Sequence, residues 1–336
     1  MAMKVAINGF GRIGKLVARA AFERGFVGKK FDIVAINDTH DPRLSAHLFK
    51  YDTTQGHYAG SSKGEPGKLT IDGHEIIITA DRDPANLPWG KLGVDLVLEC
   101  TGAFTDRAGS SKHITAGAKK VLISAPCKGG EADATIVLGV NDEAYDRKKH
   151  NIVSLGSCTT NCLAPVAKTL LDNFGIENGF MTTVHAYTND QLILDGHHKD
   201  FRRARAGAVN IIPTTTGAAK AIGMVIPELK GKLDGLSLRV PTPVGSINDL
   251  SCTLAKAATK EEIGAALKKA SQGRMKGILE YCEEPIVSSD IVHNPASSVV
   301  DGLSTIAIGK TAKVLSWYDN EWGFSNRMVE LAAKMF

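Results

Sequence analysis

The first half of the chain alternates short apolar segments with segments of helical periodicity. The apolar segments are nearly continuous in Val, Ile and Leu, which is typical of parallel strands buried on both faces. We expect strands at Val5–Asn8, Ile33–Asn37, Val94–Cys100, Val121–Ala125 and Ile152–Leu155, and helices at Arg12–Arg24, Arg43–Phe49 and Arg107–Ala116. This alternation predicts a doubly wound α/β domain over residues 1–157.

The pattern changes after residue 157. Strand-like segments continue but no longer alternate strictly with helical ones: Met181–Ala186, Leu236–Val240, Asn248–Leu254 and Thr305–Ile308. This change predicts a second domain of α+β type over residues 158–319. The amphipathic segment Asn326–Phe336 predicts a closing helix.

Residues 188–210 form an irregular, charged stretch that contains glycine. Connections of this length without secondary structure are uncommon in compact domains. We therefore expect this loop to be functional rather than a passive link.

The composition narrows the class of protein. With 336 residues, 43% apolar and 23% charged, the chain is predicted to be soluble and globular rather than disordered. A net charge of +4 does not suggest nucleic acid as the main partner. No apolar run approaches the ~18 residues of a membrane span, and the first strand begins too early for a signal peptide. The six scattered cysteines match no disulfide framework and indicate a reducing, cytoplasmic location.

A glycine-rich turn joins the first predicted strand to the first predicted helix. Gly9, Gly11 and Gly14 have the GxGxxG spacing, and the strand–turn–helix context is the one that dinucleotide binding requires. The helix N-terminus can receive a pyrophosphate, and Asp38, after the second strand, can accept bonds from ribose hydroxyls. A simple glycine turn with a capping aspartate is the alternative. Thr101, after the third strand, either borders the same crevice or forms a turn.

Cys158 follows the strand at Ile152–Leu155 and precedes an apolar stripe of helical spacing that stops at Gly175. It is therefore expected at the carboxyl edge of the sheet, where open α/β sheets bind substrates. A helix N-terminus there would lower its thiol pKa. A lone cysteine is more often structural than catalytic, so position alone leaves both roles open. Cys162, one turn further on, is expected to be buried as a small hydrophobe.

His185 lies at the end of the next predicted strand. A histidine there can serve as the base for thiolate chemistry, or it can be a hydrogen-bonded core residue. A zinc site is a further alternative, with Cys158, Cys162, His197 and His198 as possible ligands. No CxxC or HxxxH pair supports a closed ligand set, so we predict no metal.

Arginines and hydroxyl groups cluster further along the chain. Arg202, Arg203 and Arg205 form a basic run, and Thr216 ends a run of threonines. Both suit phosphate oxyanions, although a solvated basic face is the alternative for the run. Arg239 does not fit that alternative, because it lies in an otherwise apolar strand and an inward arginine needs an anionic partner.

Five segments together closely resemble the phosphorylating glyceraldehyde-3-phosphate dehydrogenases: NGFGRIG at 8–14, SCTTNC at 157–162, HAYTND at 185–190, RRAR at 202–205 and WYDNE at 317–321. The similarity covers essentially the whole chain. It implies a Rossmann NAD-binding domain over 1–157 completed by a helix over 320–336, and a mixed-sheet catalytic domain over 158–319. It also implies a homotetramer, in which the loop 188–210 packs at a subunit interface and lines the neighbour's cofactor site.

The resemblance implies roles for individual residues. Cys158 is the nucleophile and His185 the base. The substrate's own phosphate is expected at Thr188, Asp190 and Arg239. The attacking inorganic phosphate is expected at Ser157, Thr159, Thr216, Gly217 and Arg203. Together with the residues derived above, the NAD contacts are Gly9, Gly11, Arg12, Ile13, Gly14, Asp38, Thr101, Ser124 and Asn320.

The implied chemistry is that of glycolysis and gluconeogenesis. The Cys158 thiolate attacks the aldehyde of glyceraldehyde 3-phosphate, and His185 stabilises the thiohemiacetal oxygen and takes its proton. Hydride passes to the nicotinamide and leaves a thioester. Inorganic phosphate then attacks the thioester and yields 1,3-bisphosphoglycerate, which explains the need for two phosphate subsites.

Three positions depart from the commoner family pattern. Leu155-Gly156 replaces the usual Asn-Ala before the nucleophile segment. Thr39 replaces a leucine of many NAD-specific members, and Gly196-His197 replaces Leu-Pro. The last two loosen the crowding around the adenosine ribose, so we expect NAD as the preferred cofactor with secondary use of NADP.

Two other functions compete with this interpretation. A relative acting on erythrose 4-phosphate would hydrolyse its thioester, but Arg203 and Thr216 favour the use of phosphate. A non-catalytic binding protein of the same fold is the other alternative. The complete set of catalytic residues makes such binding at most a second role.

Overall fold

The structure, a computed structural model, describes residues 2–128 and 132–336. The chain divides into two compact units. Unit 1 contains Met1–Ile136, Glu143–Gly156 and Ser325–Phe336, and unit 2 contains Val137–Asp142 and Ser157–Phe324. In the part of the chain that is described, no helix is long and apolar enough to cross a membrane.

Unit 1 contains the predicted alternation of strands and helices. Its strands are β1 (Met3–Asn8), β2 (Phe31–Asn37), β3 (Tyr51–Asp52), β4 (Gly56–His57), β5 (Ser62–Glu65), β6 (Lys68–Ile71), β7 (His74–Thr79), β8 (Leu96–Glu99), β9 (Lys120–Ile123), β10 (Ala134–Thr135) and β11 (Ile152–Ser154). Its helices are α1 (Arg12–Glu23), α2 (Pro42–Lys50), α3 (Trp89–Leu92) and α4 (Arg107–Thr115). The five strands and three helices expected here are confirmed, with small differences at their ends.

The main sheet of unit 1 has the order β10-β11-β9-β8-β1-β2-β7-β6-β5. It is parallel from β10 to β7 and antiparallel from β7 to β5. After β1, the chain adds β2 and then β5, β6 and β7 on one side of it. It then returns to the other side of β1 and adds β8, β9, β10 and β11. The carboxyl ends of β1 and β8 therefore form the switch point at which doubly wound sheets bind ligands.

The antiparallel strands β5, β6 and β7 were not predicted. They carry exposed or half-buried charged residues, including Lys63, Glu65, Lys68 and Glu75. β5 contains no apolar residue other than glycine and β6 alternates polar with apolar residues, so the pattern that revealed β1 and β2 is missing in both. β7 does carry three consecutive isoleucines at 76–78, a strand signal that the prediction did not use.

Unit 2 is a mixed α+β domain, as predicted. Its strands are β12 (Ile176–Ala186), β13 (Ile212–Thr215), β14 (Leu233–Val240), β15 (Ser246–Leu254), β16 (Leu279–Cys282), β17 (Ser298–Asp301), β18 (Ile306–Ile308) and β19 (Thr311–Tyr318). Its helices are α5 (Cys158–Phe174), α6 (Ala218–Val225) and α7 (Lys260–Gln272). The sheet order is β13-β14-β12-β15-β19-β17-β16, with β18 paired to β19.

The last helix, α8 (Trp322–Lys334), starts in unit 2 and continues into unit 1. It begins four residues before the predicted Asn326, because the Asp319 carboxylate accepts bonds from the N–H groups of Glu321 and Trp322. Between β12 and β13 the chain forms neither helix nor strand, so the predicted irregular loop is confirmed.

Candidate active site

The predicted cofactor residues of unit 1 lie at one edge of its sheet. Gly9 follows β1, Asp38 follows β2, Thr101 lies just after β8, and Ser124 follows β9. These strands are consecutive in the sheet and parallel. Their carboxyl ends therefore meet at the switch point, as the sequence indicated.

The glycine turn has the shape that a pyrophosphate requires. Gly9 has φ +89°, and a Cβ there would lie 2.7 Å from Thr101 Cγ2; at Gly14 a Cβ would lie 2.0 Å from the Gly9 carbonyl oxygen. Gly11 faces open space, with nothing within 4 Å of its Cβ position, and it provides no side-chain cap to α1. The first turn of α1 is thus available to an anion, which fits a dinucleotide.

Asp38 is buried and held by its neighbours. Its carboxylate accepts bonds from Ser45 Oγ at 2.7 Å and from the backbone N–H of His40 at 3.2 Å, and His40 Nδ1 lies 2.7 Å away. Burial alone would raise its pKa, but these hydrogen bonds hold the pKa of Asp38 below its ordinary value. The Asp38 carboxylate is therefore a hydrogen-bond acceptor that its neighbours hold in one position. The Arg12 side chain points elsewhere in unit 1, to Asp52 at 2.5 Å.

Cys158 is the first residue of α5 in unit 2. Ser157 caps this helix by accepting a bond from the N–H of Thr160 at 3.0 Å. Leu163, Val166 and Leu170 of the apolar stripe that predicted the helix are buried, its last two members are half-buried, and α5 stops at the C-cap Gly175, as expected. Cys162, one turn further on, is fully buried, and its sulfur lies 3.3 Å from Ser316 Oγ.

His185 faces the Cys158 thiol. The Cys158 Sγ and His185 Nε2 atoms are 3.6 Å apart, and His185 is 4% exposed. The other ring nitrogen, Nδ1, lies 2.7 Å from the carbonyl oxygen of Ala186. A carbonyl can only accept, whereas the Arg239 guanidinium, which also contacts Nδ1, can only donate, so these two contacts favour opposite tautomers of the ring. With the ring proton on Nδ1, the Nε2 lone pair faces the thiol.

Arg239 is the cross-strand neighbour of His185. The parallel register of β12 and β14 pairs the two residues, and Arg239 Nη1 contacts His185 Nδ1 and donates to the Ala186 carbonyl at 3.0 Å. Arg239 Nε is buried and has no hydrogen-bond partner among the described residues. Among the described residues, no carboxylate is hydrogen-bonded to Arg239. The anionic partner that the sequence predicted for this arginine is therefore not a neighbouring side chain.

Burial and charge set the protonation of this cluster. Burial raises the pKa of the Cys158 thiol, while Arg239 and the backbone N–H groups of Cys158 and Thr159 oppose that rise. The helix N-terminus lowers the pKa, as predicted, but burial outweighs it, so the pKa of the Cys158 thiol lies above its ordinary value. Burial, followed by the charge of Arg239, lowers the pKa of His185 to about 3.

Arg203 and Asp190 form a second cluster. Arg203 Nη1 lies 2.8 Å from Asp190 Oδ2, and Arg203 Nε donates to Thr214 Oγ1 at 2.6 Å. The charges of both residues also influence the pKa of Arg239. The structure therefore joins Asp190 directly to Arg203, although the sequence assigned them to different phosphate subsites.

The other predicted phosphate residues occupy helix ends and turns. Thr216 Oγ1 accepts a bond from the N–H of Ala218, and Gly217 is the N-cap of α6. Thr188 bonds to the side chain of Gln191 within the turn that holds Asp190.

Tyr318, which sequence reasoning did not assign to the site, organises its buried side. Its hydroxyl lies 2.9 Å from Thr159 Oγ1 and 2.8 Å from Thr183 Oγ1, and its ring meets the His185 ring edge-on. The Thr159 hydroxyl is therefore engaged inside the unit. The available signal was the motif at 317–321, which contains Tyr318.

Asn320 lies next to this cluster in sequence and is held by Ser246. The Ser246 hydroxyl donates to Asn320 Oδ1 at 3.0 Å and accepts from the N–H of Ala186 at 3.0 Å. Because Ser246 engages the amide oxygen of Asn320, the amide nitrogen can donate a hydrogen bond to a ligand. No sequence signal marked Ser246.

No group of three or more His, Cys, Asp or Glu side chains could hold a metal ion in the two described segments. The arrangement in unit 2 thus offers thiol and imidazole chemistry beside arginines that can bind anions.

Comparison with known proteins agrees with this chemistry. Two family models match the chain: the NAD binding domain of glyceraldehyde 3-phosphate dehydrogenase over residues 3–107, and the C-terminal domain of the same enzyme over residues 157–320. The chain is 58% identical over 341 residues to glyceraldehyde-3-phosphate dehydrogenase of Borreliella burgdorferi, covering 99% of each chain. It is 56% identical over 334 residues to that of Geobacillus stearothermophilus and to glyceraldehyde-3-phosphate dehydrogenase 1 of Bacillus subtilis, covering 99% of this chain and 98% of each relative.

Proposed function

Because this chain belongs to the glyceraldehyde-3-phosphate dehydrogenase family, we propose that Cys158 and His185 are its catalytic pair. The protein oxidises glyceraldehyde 3-phosphate and phosphorylates it to 1,3-bisphosphoglycerate with reduction of NAD. The observation that carries the assignment is the 3.6 Å contact between the Cys158 sulfur and His185 Nε2, with Arg239 beside them.

The covalent steps follow from this contact. As the Cys158 sulfur bonds to the aldehyde carbon, its proton passes to His185 Nε2, and His185 delivers that proton to the carbonyl oxygen to form the thiohemiacetal, which leaves the imidazole neutral again. His185 then removes the hydroxyl proton as the carbon–hydrogen bond breaks. A phosphate oxygen attacks the resulting thioester, the carbon–sulfur bond breaks, and the leaving Cys158 thiolate takes back the proton that His185 removed from the hydroxyl group. NAD, when bound, supplies the acceptor for the hydride.

The residues of unit 1 fit the cofactor. The turn at Gly9–Gly14 would receive the pyrophosphate at the start of α1, and the Asp38 carboxylate would accept bonds from the adenosine ribose. In unit 2, Asn320 would present its amide nitrogen to the nicotinamide carboxamide, because Ser246 already bonds to its oxygen.

The arginines would bind the two phosphates. Arg239 has a buried Nε with no partner among the described residues, and with Thr188 and Asp190 it would hold the substrate's phosphate. Arg203 would hold inorganic phosphate together with Thr216 and Gly217 at the N-terminus of α6, and with Ser157 and Thr159 at that of α5.

Replacing Arg203 by leucine tests the phosphorylating function. Loss of a charge-assisted hydrogen bond costs about 1.5–3 kcal/mol, so the KM for inorganic phosphate should rise roughly 10- to 150-fold. The KM for the aldehyde should change much less. Arg239→Leu is the matched control. It should raise the KM for the aldehyde more than the KM for inorganic phosphate.

The parent protein should require phosphate or arsenate for steady-state turnover. Equal rates of aldehyde oxidation with and without these anions would contradict the phosphorylating reaction. That result would favour a hydrolytic enzyme, such as one acting on erythrose 4-phosphate.

We also propose a homotetramer. The loop between β12 and β13 exposes large apolar side chains, among them Ile193, Leu194, Phe201 and Val209, with Phe201 90% exposed. Several large apolar side chains exposed on one loop are typical of a subunit interface. Light scattering should report four times the chain mass of 35.8 kDa, and Phe201→Glu should lower it. A monomeric parent would contradict the proposal.

The six cysteines are free thiols, which supports a reducing, cytoplasmic location. Cell fractionation followed by detection of the chain tests this location.

A further inference from the structure

A buried row of polar side chains crosses unit 1 beneath the switch point. Asn8 Nδ2 donates to Glu99 Oε2 at 2.6 Å, and Asn37 Nδ2 donates to Asn8 Oδ1 at 2.8 Å. Glu99 and Asn8 are each 1% exposed, and Asn37 is 7% exposed. These residues end β8, β1 and β2, directly below the edge that would hold the cofactor. The reaction described above assigns no task to them.

The carboxylate of Glu99 gives this row its direction. A carboxylate only accepts hydrogen bonds, so Asn8 must turn its nitrogen to Glu99 and its oxygen to Asn37. Asn37 in turn directs its own oxygen to Thr79 Oγ1 and to the N–H of Asp81, each at 3.0 Å. Asn37 Nδ2 also donates to the Asp81 carbonyl at 2.8 Å, so the Asp81 backbone orients this amide in the same sense. Glu99 orients Asn8 from one side, and Asn37, the residue that precedes Asp38, meets Asn8 from the other.

Hydrogen bonds compensate the buried charge. Besides Asn8, Glu99 accepts from the backbone N–H of Thr101 at 2.7 Å, from the Thr101 hydroxyl, and from His113 Nε2 at 3.1 Å. The indole N–H of Trp89 lies 3.0 Å from His113 Nδ1 and can only donate. The His113 proton therefore sits on Nε2, which makes the imidazole a neutral donor to Glu99.

The same carboxylate holds both sides of the glycine turn. Asn8 directly precedes Gly9, and Thr101 packs where a Cβ of Gly9 would lie, with its backbone nitrogen 2.8 Å from that position. The N–H of Gly9 also donates to the Asn37 carbonyl at 2.9 Å. A change at Glu99 would therefore be transmitted to the turn through Asn8, Asn37 and Thr101.

We propose that Glu99 is a positioning residue for NAD, which orders the glycine turn and Asp38 without touching the cofactor. The inference rests on the cofactor contacts proposed above. Glutamine in its place could not accept from the same four donors, and its amide group would direct hydrogens at some of them. The Asn8 amide would no longer have a single preferred orientation. The glycine turn would then no longer be held in the conformation that receives the pyrophosphate.

Isothermal titration of the full-length protein with NAD tests the inference. Glu99→Gln should raise the Kd of NAD roughly 10- to 100-fold, the range expected for lost hydrogen bonds to a charged group. At saturating NAD, kcat and the KM values for aldehyde and phosphate should stay close to those of the parent. An unchanged Kd would overturn the inference but leave the reaction intact, whereas a parent that does not bind NAD would overturn the cofactor site itself.

Lys120→Met is the matched control for a general loss of stability. Lys120 is also buried, at the amino end of β9, and its ammonium donates to the carbonyls of Arg147 and His150 at 2.7 Å each. This variant should lower the Tm without changing the Kd of NAD. An equal weakening of NAD binding in Lys120→Met would show that Glu99 acts only through stability.

Variants of His113 keep the inference testable if Glu99→Gln does not fold. His113→Phe removes one donor to Glu99 and should raise the Kd of NAD in the same direction, though by less. His113→Gln retains an N–H donor and should restore much of the affinity. Equal affinity in parent and His113→Phe, or no rescue by His113→Gln, would count against the positioning role.

Discussion

Replacing Cys158 by serine should lower kcat/KM for glyceraldehyde 3-phosphate by about 10⁴-fold or more, the order of loss that follows removal of a covalent nucleophile. The serine hydroxyl keeps the place and nearly the size of the thiol. At neutral pH it is a far weaker nucleophile, and it would form an ester in place of the thioester. The measurement is the initial rate of NADH formation with saturating phosphate and NAD.

Cys282→Ser is the matched control, because this half-buried cysteine lies in unit 2, packs beside Ile291 and Val299, and has its sulfur hydrogen-bonded to the Glu284 backbone rather than to any of the proposed catalytic residues. It should retain the parent rate. Iodoacetamide should inactivate the parent in step with labelling of Cys158. Because burial raises the pKa of this thiol, labelling should accelerate as the pH rises. Full activity in Cys158→Ser would exclude the thioester route.

Replacing His185 by asparagine should lower kcat by about 10²- to 10⁴-fold, the usual contribution of a general base. Asparagine can still donate a hydrogen bond, but it cannot take the thiol proton or the thiohemiacetal proton. The KM for the aldehyde should change less than kcat, because Arg239 and the other proposed phosphate contacts remain. Steady-state kinetics over a range of aldehyde concentrations separates the two effects.

His47→Asn provides the comparison, since His47 is exposed on α2 in unit 1. It should behave as the parent. The slow variant should also be tested at higher pH, where more of the Cys158 thiol is ionised before attack. A partial recovery there would agree with His185 as the acceptor of the thiol proton. A His185→Asn variant with parental kcat at neutral pH would remove His185 from the mechanism.

The cofactor edge could be predicted because its signals are local. Gly9 and Gly14 are needed where the chain turns from a buried strand into a helix, and Asp38 follows the next strand directly. Short strands with continuous apolar sequence are recognisable alone. The start of α5 is similarly local, since Ser157 caps the helix that Cys158 begins.

The strands β5, β6 and β7 escaped prediction, the first two for a related reason. β5 and β6 leave charged residues such as Lys63 and Lys68 in contact with water and show no continuous apolar run, whereas β7 was missed in spite of its three isoleucines at 76–78. Only the pairing of these segments with one another and with β2 identifies them as part of the sheet.

By itself, the sequence determined which residues are candidates for the chemistry: the glycine turn, Cys158 on a helix N-terminus, His185 at a strand end and an arginine inside an apolar strand. Tertiary structure alone decided which of them meet. Strand register places Arg239 beside His185, and chain folding brings Arg203 to Asp190 and Glu99 to Asn8. It also raised the pKa of the Cys158 thiol, because burial is a property of everything packed around the sulfur. Register and burial arise from contacts between residues far apart in the chain, which local sequence patterns do not encode.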